Sequence, residues 1–388
     1  MKRIYLDNAA TTPVKKEVLD TMIPYFTEVY GNASSIYVQT GQEARIALDA
    51  SRKKVAEILN AAEREVYFTS GGTESDNWAI KGVAFANRQK GNHIITSKIE
   101  HHAVLHACEY LEKNHGFAVT YLDVDADGLV SLEAIESAIT EQTILISIMY
   151  ANNEVGTIQP IKEIAEIAKR KGVIFHTDAV QAVGNIAIDV KELGVDLLSL
   201  SGHKLYGPKG VGALYIRKGV KIENFMHGGA QEFKKRATTE NVAGIVGLAK
   251  AMELANDNLD QHSAHSIKLR DHLISRISAE IPEVKLNGHA VKRLPGNVNF
   301  SIRYIEGEAI LLSLDMVGIS ASSGSACTSG SLDPSHVLLA MGLPHETAHG
   351  SLRLTIGDFT TKEDIDYTVD QLKIIVDRLR KMSPLYDK

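Results

Sequence analysis

Thr143-Ile144-Leu145-Ile146-Ser147-Ile148-Met149, then the helical stretch Ile161–Lys171, then Val173-Ile174-Phe175-His176-Thr177 decide the fold. Two short apolar runs flank an amphipathic segment, the pattern of a strand, a crossover helix and a second, parallel strand. The same alternation extends outward in both directions. Val66–Ser70, Ile94–Ser97, Val119–Leu122, Val195–Leu200 and Gly212–Ile216 read as further strands. Gly41–Leu59, Glu74–Asn87, Ala103–Lys113 and Leu132–Ile139 read as helices between them. Continuous apolar strands with crossover helices predict an α/β fold, a mostly parallel seven-stranded sheet flanked by helices. After Lys250 the pattern changes to a long helical stretch, His262–Glu280, then mixed strands and helices, and a closing helix from Lys362 to about Met382. The expected organisation is a large domain over 14–255 and a smaller α+β domain formed by 1–13 and 256–388.

Composition agrees with that size of fold. The chain has 388 residues, 44% hydrophobic and 23% charged, with 30 Gly and 9 Pro, which is ordinary globular usage and excludes a collagenous or largely disordered chain. A net charge of −6 argues against a broad basic face for nucleic acid. No apolar run approaches the roughly 18–20 residues of a membrane helix, and the N-terminus lacks the apolar stretch of a secretory signal, so no membrane association and a cytoplasmic location are expected. Only Cys108 and Cys327 are present, too few for a disulfide scaffold.

Ligands of open α/β sheets bind beyond the carboxyl ends of the strands, and the residues at those ends are chemically pointed. Val66–Ser70 leads into Gly71-Gly72-Thr73-Glu74, a helix start suited to an anion. Val173–Thr177 leads into Asp178, with Gln181 three residues on, and Val195–Leu200 into Ser201-Gly202-His203-Lys204. A lysine able to form a Schiff base, an acid for a pyridine nitrogen and donors for a phosphate are what pyridoxal 5′-phosphate requires. Lys204, Asp178 and the group Thr73, Ser201 and His203 supply them, each charge-assisted phosphate bond contributing about 1.5–3 kcal/mol. Spacing alone supports equally a row of helix caps with a surface lysine.

Six strings are spread along the chain: Tyr5-Leu6-Asp7-Asn8-Ala9-Ala10-Thr11-Thr12, Gly72-Thr73-Glu74-Ser75, Glu100-His101-His102-Ala103-Val104, Asn152-Asn153-Glu154-Val155-Gly156, His176-Thr177-Asp178-Ala179-Val180-Gln181 and Ser201-Gly202-His203-Lys204. In this order, over essentially the whole chain, the sequence resembles the cysteine desulfurases of nitrogenase and iron–sulfur-cluster assembly, fold-type I enzymes of the class V aminotransferase superfamily. The resemblance implies conversion of L-cysteine to L-alanine, with Lys204 holding the cofactor, Asp178 on its ring nitrogen and Gln181 near its ring hydroxyl. It implies His101 stacking on the ring and moving protons, Thr73, Ser201 and His203 on the phosphate, and Asn152 with Arg353 clamping the substrate carboxylate. Thr239, in Arg236-Ala237-Thr238-Thr239, corresponds to a residue that reaches the phosphate of a neighbouring subunit, implying a homodimer. Cys327 would accept the sulfur as a persulfide, pass it to a protein acceptor such as an iron–sulfur scaffold, and transiently ligate a cluster there. Its setting, Ser322-Ser323-Gly324-Ser325-Ala326-Cys327-Thr328-Ser329-Gly330, is a small-residue polar loop, unlike that of Cys108, which sits within an amphipathic helix as a packing cysteine. A selenocysteine lyase or aminotransferase-like enzyme shares the same cofactor residues, and a non-enzymatic sulfur-delivery subunit is the reading outside catalysis.

Other features carry less. His345-Glu346-Thr347-Ala348-His349 fits a zinc-protease pattern, but Pro344 and Gly350 bracket it and no third ligand is evident, so no metal is expected. Lys234-Lys235-Arg236 reads as a solvated basic face, and the remaining histidines as surface or helix positions. Ala33, Tyr37 and Ala237-Thr238 stand where the family commonly has Pro, His and Ser-Gly, departures at the edge of the site.

Overall fold

A computed structural model describes residues 3–323 and 333–386. The chain opens on a two-residue strand, β1 (Ile4–Tyr5). The central sheet comprises β2 (Val66–Thr69), β3 (His93–Ser97), β4 (Ala118–Leu122), β5 (Thr143–Ser147), β6 (Ile174–Asp178), β7 (Leu197–Ser201) and β8 (Gly212–Ile216). Their spatial order is β2-β8-β7-β6-β5-β3-β4. Every neighbouring pair from β7 to β4 is parallel, and β8 runs antiparallel to both β7 and β2. The mostly parallel seven-stranded sheet expected from the sequence is therefore present. Asp178 and Ser201, expected just after strands, are their last residues, because β6 pairs with β7 through Asp178 and β7 with β8 through Ser201.

The apolar runs are continuous because both faces are buried. Ile94 and Ile95, Leu145 and Ile146, and Leu197 and Leu198 are adjacent residues that face opposite cores, as a period of two requires. Helices Gly72–Asn87 and His102–His115 cover one face with Trp78, Val83, Val104 and Leu111. Helices Gln39–Leu59, Ile161–Lys171 and Val242–Asp257 cover the other. Ile161, Ile164, Ala165 and Ala168 form the buried stripe of the second of these, which ends where Gly172 takes the left-handed φ of 69° that glycine adopts without strain. Cys108 is buried on helix His102–His115, and burial pushes its thiol far up from its ordinary range.

A separate core lies around β9 (Val284–Leu286), β10 (Asn297–Ile302), β11 (Ile319–Ser320) and β12 (Ser351–Thr355). β10 pairs antiparallel with β9 and β12, and β1 pairs in parallel with β11. Helices Leu259–Glu280 and Lys362–Met382 pack on it, and Ile4 and Leu6 from the N-terminus are buried in it. No helix among the described residues is long and apolar enough to cross a membrane.

Two polar arrangements interrupt this apolar plan. At the outer edge of the sheet, Arg52 donates to the Val66 carbonyl (2.7 Å) and makes a two-pronged contact with Glu232 (both 2.7 Å), while Glu232 accepts the Phe68 N–H (2.9 Å). The ion pair thus closes the otherwise unpaired edge of β2. Its side chains are 4% and 2% exposed. It also holds a left-handed turn at Glu232, Phe233 and Lys234, with φ of 44°, 55° and 69°, which costs roughly 1–2 kcal/mol per residue. The second arrangement lies within the sheet. His176 is fully buried between the Ser147 and Ser199 hydroxyls, 2.9 Å from each, and burial lowers it to about 3, so it is neutral. His93 is likewise buried, against Thr143 and Thr120. These two correct the expectation that the remaining histidines are surface or helix positions; hydroxyls on neighbouring strands satisfy their ring nitrogens. Glu100, also fully buried, accepts from Ser97 Oγ (2.6 Å) and Met149 N–H (3.0 Å).

Replacing Arg52 by Met leaves Glu232 charged and buried, so a loss of about 3–5 kcal/mol is expected, measured by urea unfolding. Glu100 is raised from 4.5 to about 8, chiefly by burial, against the pull of its Ser97 and Met149 hydrogen bonds. The folded chain therefore holds this proton more tightly than the unfolded chain, and the associated stability is present below pH 4.5 and lost as pH rises through 8. Glu100→Gln should flatten the fall in stability between those pH values, read from unfolding midpoints across the range.

Candidate active site

The carboxyl ends of β2, β3, β5, β6 and β7 surround a cavity of about 380 Å³. Lys204 closes the single helical turn Gly202–Lys204 directly after β7. Its Nζ donates to the carbonyls of Ala9 (2.6 Å) and Ala10 (2.8 Å), on the N-terminal strap that crosses from the second core. Asp178 accepts the Val180 N–H (2.9 Å) and is only 5% exposed. Burial raises it to about 6, opposed by that N–H and by the positive charge of Lys204. Gln181 also lines the cavity and is held by a bond from its Nε2 to Ala9 O (2.9 Å).

One wall is the first turn of helix Gly72–Asn87, where Gly72 and an exposed Thr73 face the cavity with Ser201 and His203. Gly71, ahead of this turn, has φ of 151° and ψ of −175°, backbone that only glycine adopts readily. Helix N–H groups and hydroxyls of this kind suit a phosphate. His203 is held by Thr11 Oγ1 (3.1 Å), and burial together with Lys204 and Lys209 lowers it to about 4.

His101 caps helix His102–His115, its Nδ1 accepting the Ala103 N–H (3.1 Å). That bond assigns the proton of the neutral ring to Nε2. Burial, then the charge of Lys204, lowers this histidine to about 4. Arg353, on β12, is 1% exposed; it donates to Asn153 O (3.1 Å) and Asp7 Oδ1 (2.9 Å). Thr73, His101, Asp178, Gln181, Ser201, His203, Lys204 and Arg353 thus share one cavity.

Three of the expected residues stand apart. Asn152 is fully buried, with its amide donating to Ile99 O (2.9 Å) and accepting from Glu154 and Val155 N–H; its neighbours Asn153 and Glu154 line the cavity instead. Thr239 is exposed, outside the cavity of its own chain. Cys327 lies outside the described residues; on one side of them Ser323 O accepts from Ser351 Oγ (2.8 Å), and on the other helix His336–Ala340 begins with a cavity-lining histidine.

Sequence reasoning missed several residues of this wall. Asp76 lines the cavity, 1% exposed, 3.7 Å from His176 Nε2, and burial beside Asp178 holds its carboxyl well above the usual range. His102 and His336 also line it, their rings 4.7 Å apart. The doublet His101-His102 was a local signal; Asp76, inside a helix, offered none. Arg236 corrects the reading of a solvated basic face: it grips Glu74 through Nε (2.6 Å) and Nη2 (2.8 Å) with its side chain 13% exposed. His345–His349 is a five-residue helix in which His349 lies near Glu306.

The residues present fit pyridoxal phosphate: a buried carboxylate, a lysine amine and a glycine-opened helix start meet in one cavity of suitable size. Comparison with known proteins points the same way. Residues 4–368 match the family model described as aminotransferase class-V. Cysteine desulfurase IscS of Clostridium botulinum is 60% identical over 388 residues, covering 100% of this chain and 97% of that one. Cysteine desulfurase IscS of Methanosarcina thermophila is 61% identical over 387 residues, covering 100% and 95%. A solved NifS-like protein superposes with a TM-score of 0.91 at 40% identity, covering 97% of this chain and all of that one. The chain belongs to the class-V aminotransferase family of pyridoxal-phosphate enzymes, among its cysteine desulfurases.

Proposed function

We propose that this chain converts L-cysteine to L-alanine and carries the sulfur away as a persulfide on Cys327. The observation that carries the reading is the meeting of Lys204, buried Asp178 and the Arg353 guanidinium in one cavity at the sheet's carboxyl edge. Pyridoxal phosphate, when bound there, supplies an aldehyde that bonds amines and a ring that withdraws electron density from the substrate's α-carbon. The protein's residues supply position and protons. Asp178 would supply a carboxylate to the ring nitrogen; beside a cation its burial penalty is offset and the ionised form is favoured. Thr73, Ser201 and His203 would hold the phosphate, and Gln181, fixed by Ala9, would serve the ring hydroxyl. Lys204 Nζ removes the α-proton, and its bonds to Ala9 and Ala10 keep that nitrogen within a narrow arc. His101 would lie against the cofactor ring and, neutral with its proton on Nε2, would exchange a proton with the substrate. Arg353, planar and two-pronged, takes the substrate carboxylate. Asn152 contributes by fixing the loop that sets the Asn153 carbonyl against Arg353.

The Cys327 thiolate would attack the substrate's sulfur, so that an S–S bond forms as the Cβ–S bond breaks and the electron pair goes to the three-carbon fragment, which takes up protons to become alanine. The persulfide sulfur then passes to a protein acceptor such as an iron–sulfur scaffold, where Cys327 transiently ligates a cluster. Among the described residues on either side of Cys327 in sequence, Ser323 O accepts from Ser351 Oγ on β12 and His336 lines the cavity. A reducing cytoplasm suits a free thiol of this kind. The chain acts as a homodimer, each copy offering Thr239 to the other's phosphate. Phe26, Tyr30, Tyr37 and Val38 are exposed, at 62%, 71%, 93% and 51%, as apolar side chains that a second copy covers would be. Residues 14–255 make the large domain and 1–13 with 256–388 the small one, in keeping with the cores on both faces of the central sheet and the separate core around β9–β12.

With L-cysteine and a thiol reductant, the purified protein should release alanine and sulfide in equal amounts. Cys327→Ala should keep the visible absorbance of lysine-bound cofactor while sulfide release falls roughly a thousandfold or more, the scale on which removing a nucleophile acts. Lys204→Ala should lose that absorbance. Sulfide release undiminished in Cys327→Ala, or preferential turnover of selenocysteine or a keto acid, would overturn the assignment.

A further inference from the structure

Glu74 and Arg236 join two pieces of chain that lie 162 residues apart. Glu74 stands in the first turn of helix Gly72–Asn87 beside Thr73, and its carboxylate accepts the Ser70 N–H (2.7 Å) as well as both prongs of Arg236. The two side chains are 9% and 13% exposed. Arg236 lies just past the left-handed turn at Glu232–Lys234 and is bridged to Met226, whose carbonyl accepts the Ala237 N–H (3.2 Å). The segment from 232 to 236 is therefore gripped at both ends by two-pronged ion pairs, Arg52–Glu232 and Glu74–Arg236. Beyond it the chain presents the exposed pair Thr238-Thr239.

Two such clamps within five residues fix direction as well as position, because a guanidinium–carboxylate fork sets an angle that a single contact leaves free. A largely buried ion pair is a weak source of stability compared with apolar packing of the same volume, so placement is the stronger reason for it. We propose that Glu74 and Arg236 are a positioning pair shared by two cofactor sites. Within its own subunit the pair holds the helix turn that carries Thr73, and it also aims Thr238-Thr239 at the phosphate held by a second copy. Arg236 touches no phosphate in this scheme, yet acts on two. The inference rests on the homodimer reading above.

Mixed dimers separate the two actions. One subunit carries Lys204→Ala, so each dimer has one site able to bond the cofactor, and the loss of lysine-bound absorbance is timed after dilution into a scavenger of free pyridoxal phosphate. Arg236→Gln is placed either in the subunit that keeps Lys204 or in its partner. Both placements should speed cofactor loss, each by about tenfold, the scale of one charge-assisted hydrogen bond. Glu74→Gln in the partner should reproduce the effect, since Arg236 then loses its fork. Acceleration from the same-subunit placement alone, or from neither, overturns the inference. Thr239→Ala in the partner tests the underlying reading: acceleration there sustains the cross-subunit contact, and its absence removes that reading and the inference together. If Arg236→Gln does not fold, Arg236→Lys, which keeps the charge and loses the fork, carries the same comparison with the same criteria.

Discussion

A lysine and a buried aspartate facing one cavity set the terms for the rest of this molecule. The Lys204 ammonium cannot be left there without acceptors, and the Ala9 and Ala10 carbonyls provide them at 2.6 and 2.8 Å. Asp178 cannot remain ionised at 5% exposure without donors or a cation, and Val180 N–H with Lys204 only partly meets that need. Both groups sit at carboxyl ends of adjacent parallel strands, β6 and β7, so the sheet brings them together with no further device.

Along the N-terminal strap, Ile4 and Leu6 are buried in the second core, Asp7 pairs with Arg353, and Ala9 and Ala10 bond Lys204. Within seven residues the chain passes from packing to an ion pair with Arg353 to support of Lys204. Arg353 itself sits on β12 of the second core and donates to Asn153 of the first. The two cores therefore share polar bonds at the cavity, and the alignment of lysine against guanidinium comes from hydrogen bonds that each core needs for its own buried groups.

The legible part of the sequence was whatever repeats locally. Adjacent isoleucines such as Ile94-Ile95 inside a short apolar run marked a strand covered on both faces, and the spacing of Ile161, Ile164, Ala165 and Ala168 marked a helix with one buried stripe. Lys204, Asp178 and Thr73 were legible because each lies at or just past the end of a strand. The hidden part depends on partners far away in sequence. His176 lies within an apolar run and is tolerated only because Ser147 and Ser199 come from two other strands. Arg236 reads as one of three surface cations until Glu74, 162 residues earlier, is beside it. Asn152 carries the right residue type for contacting a ligand, but its amide nitrogen donates to Ile99 O, 53 residues earlier, and its amide oxygen accepts from Glu154 and Val155 N–H in its own loop.

The energetic layout reflects the same division. Apolar side chains on both sheet faces supply the favourable term, about 25 cal/mol per Å² removed from water. Against it stand Asp76, Glu100 and Asp178, three buried acids that burial drives toward protonation, with Asp178 raising both of the others. A pyridinium ring held at Asp178 would bring a positive charge into this group and lower the cost of ionising it. A ligand that binds only the folded chain stabilises that chain by mass action, and here it also changes the protons the fold carries. Cofactor affinity, acid stability and the protonation of the buried acids are thus one linked equilibrium, centred on the aspartate that closes β6.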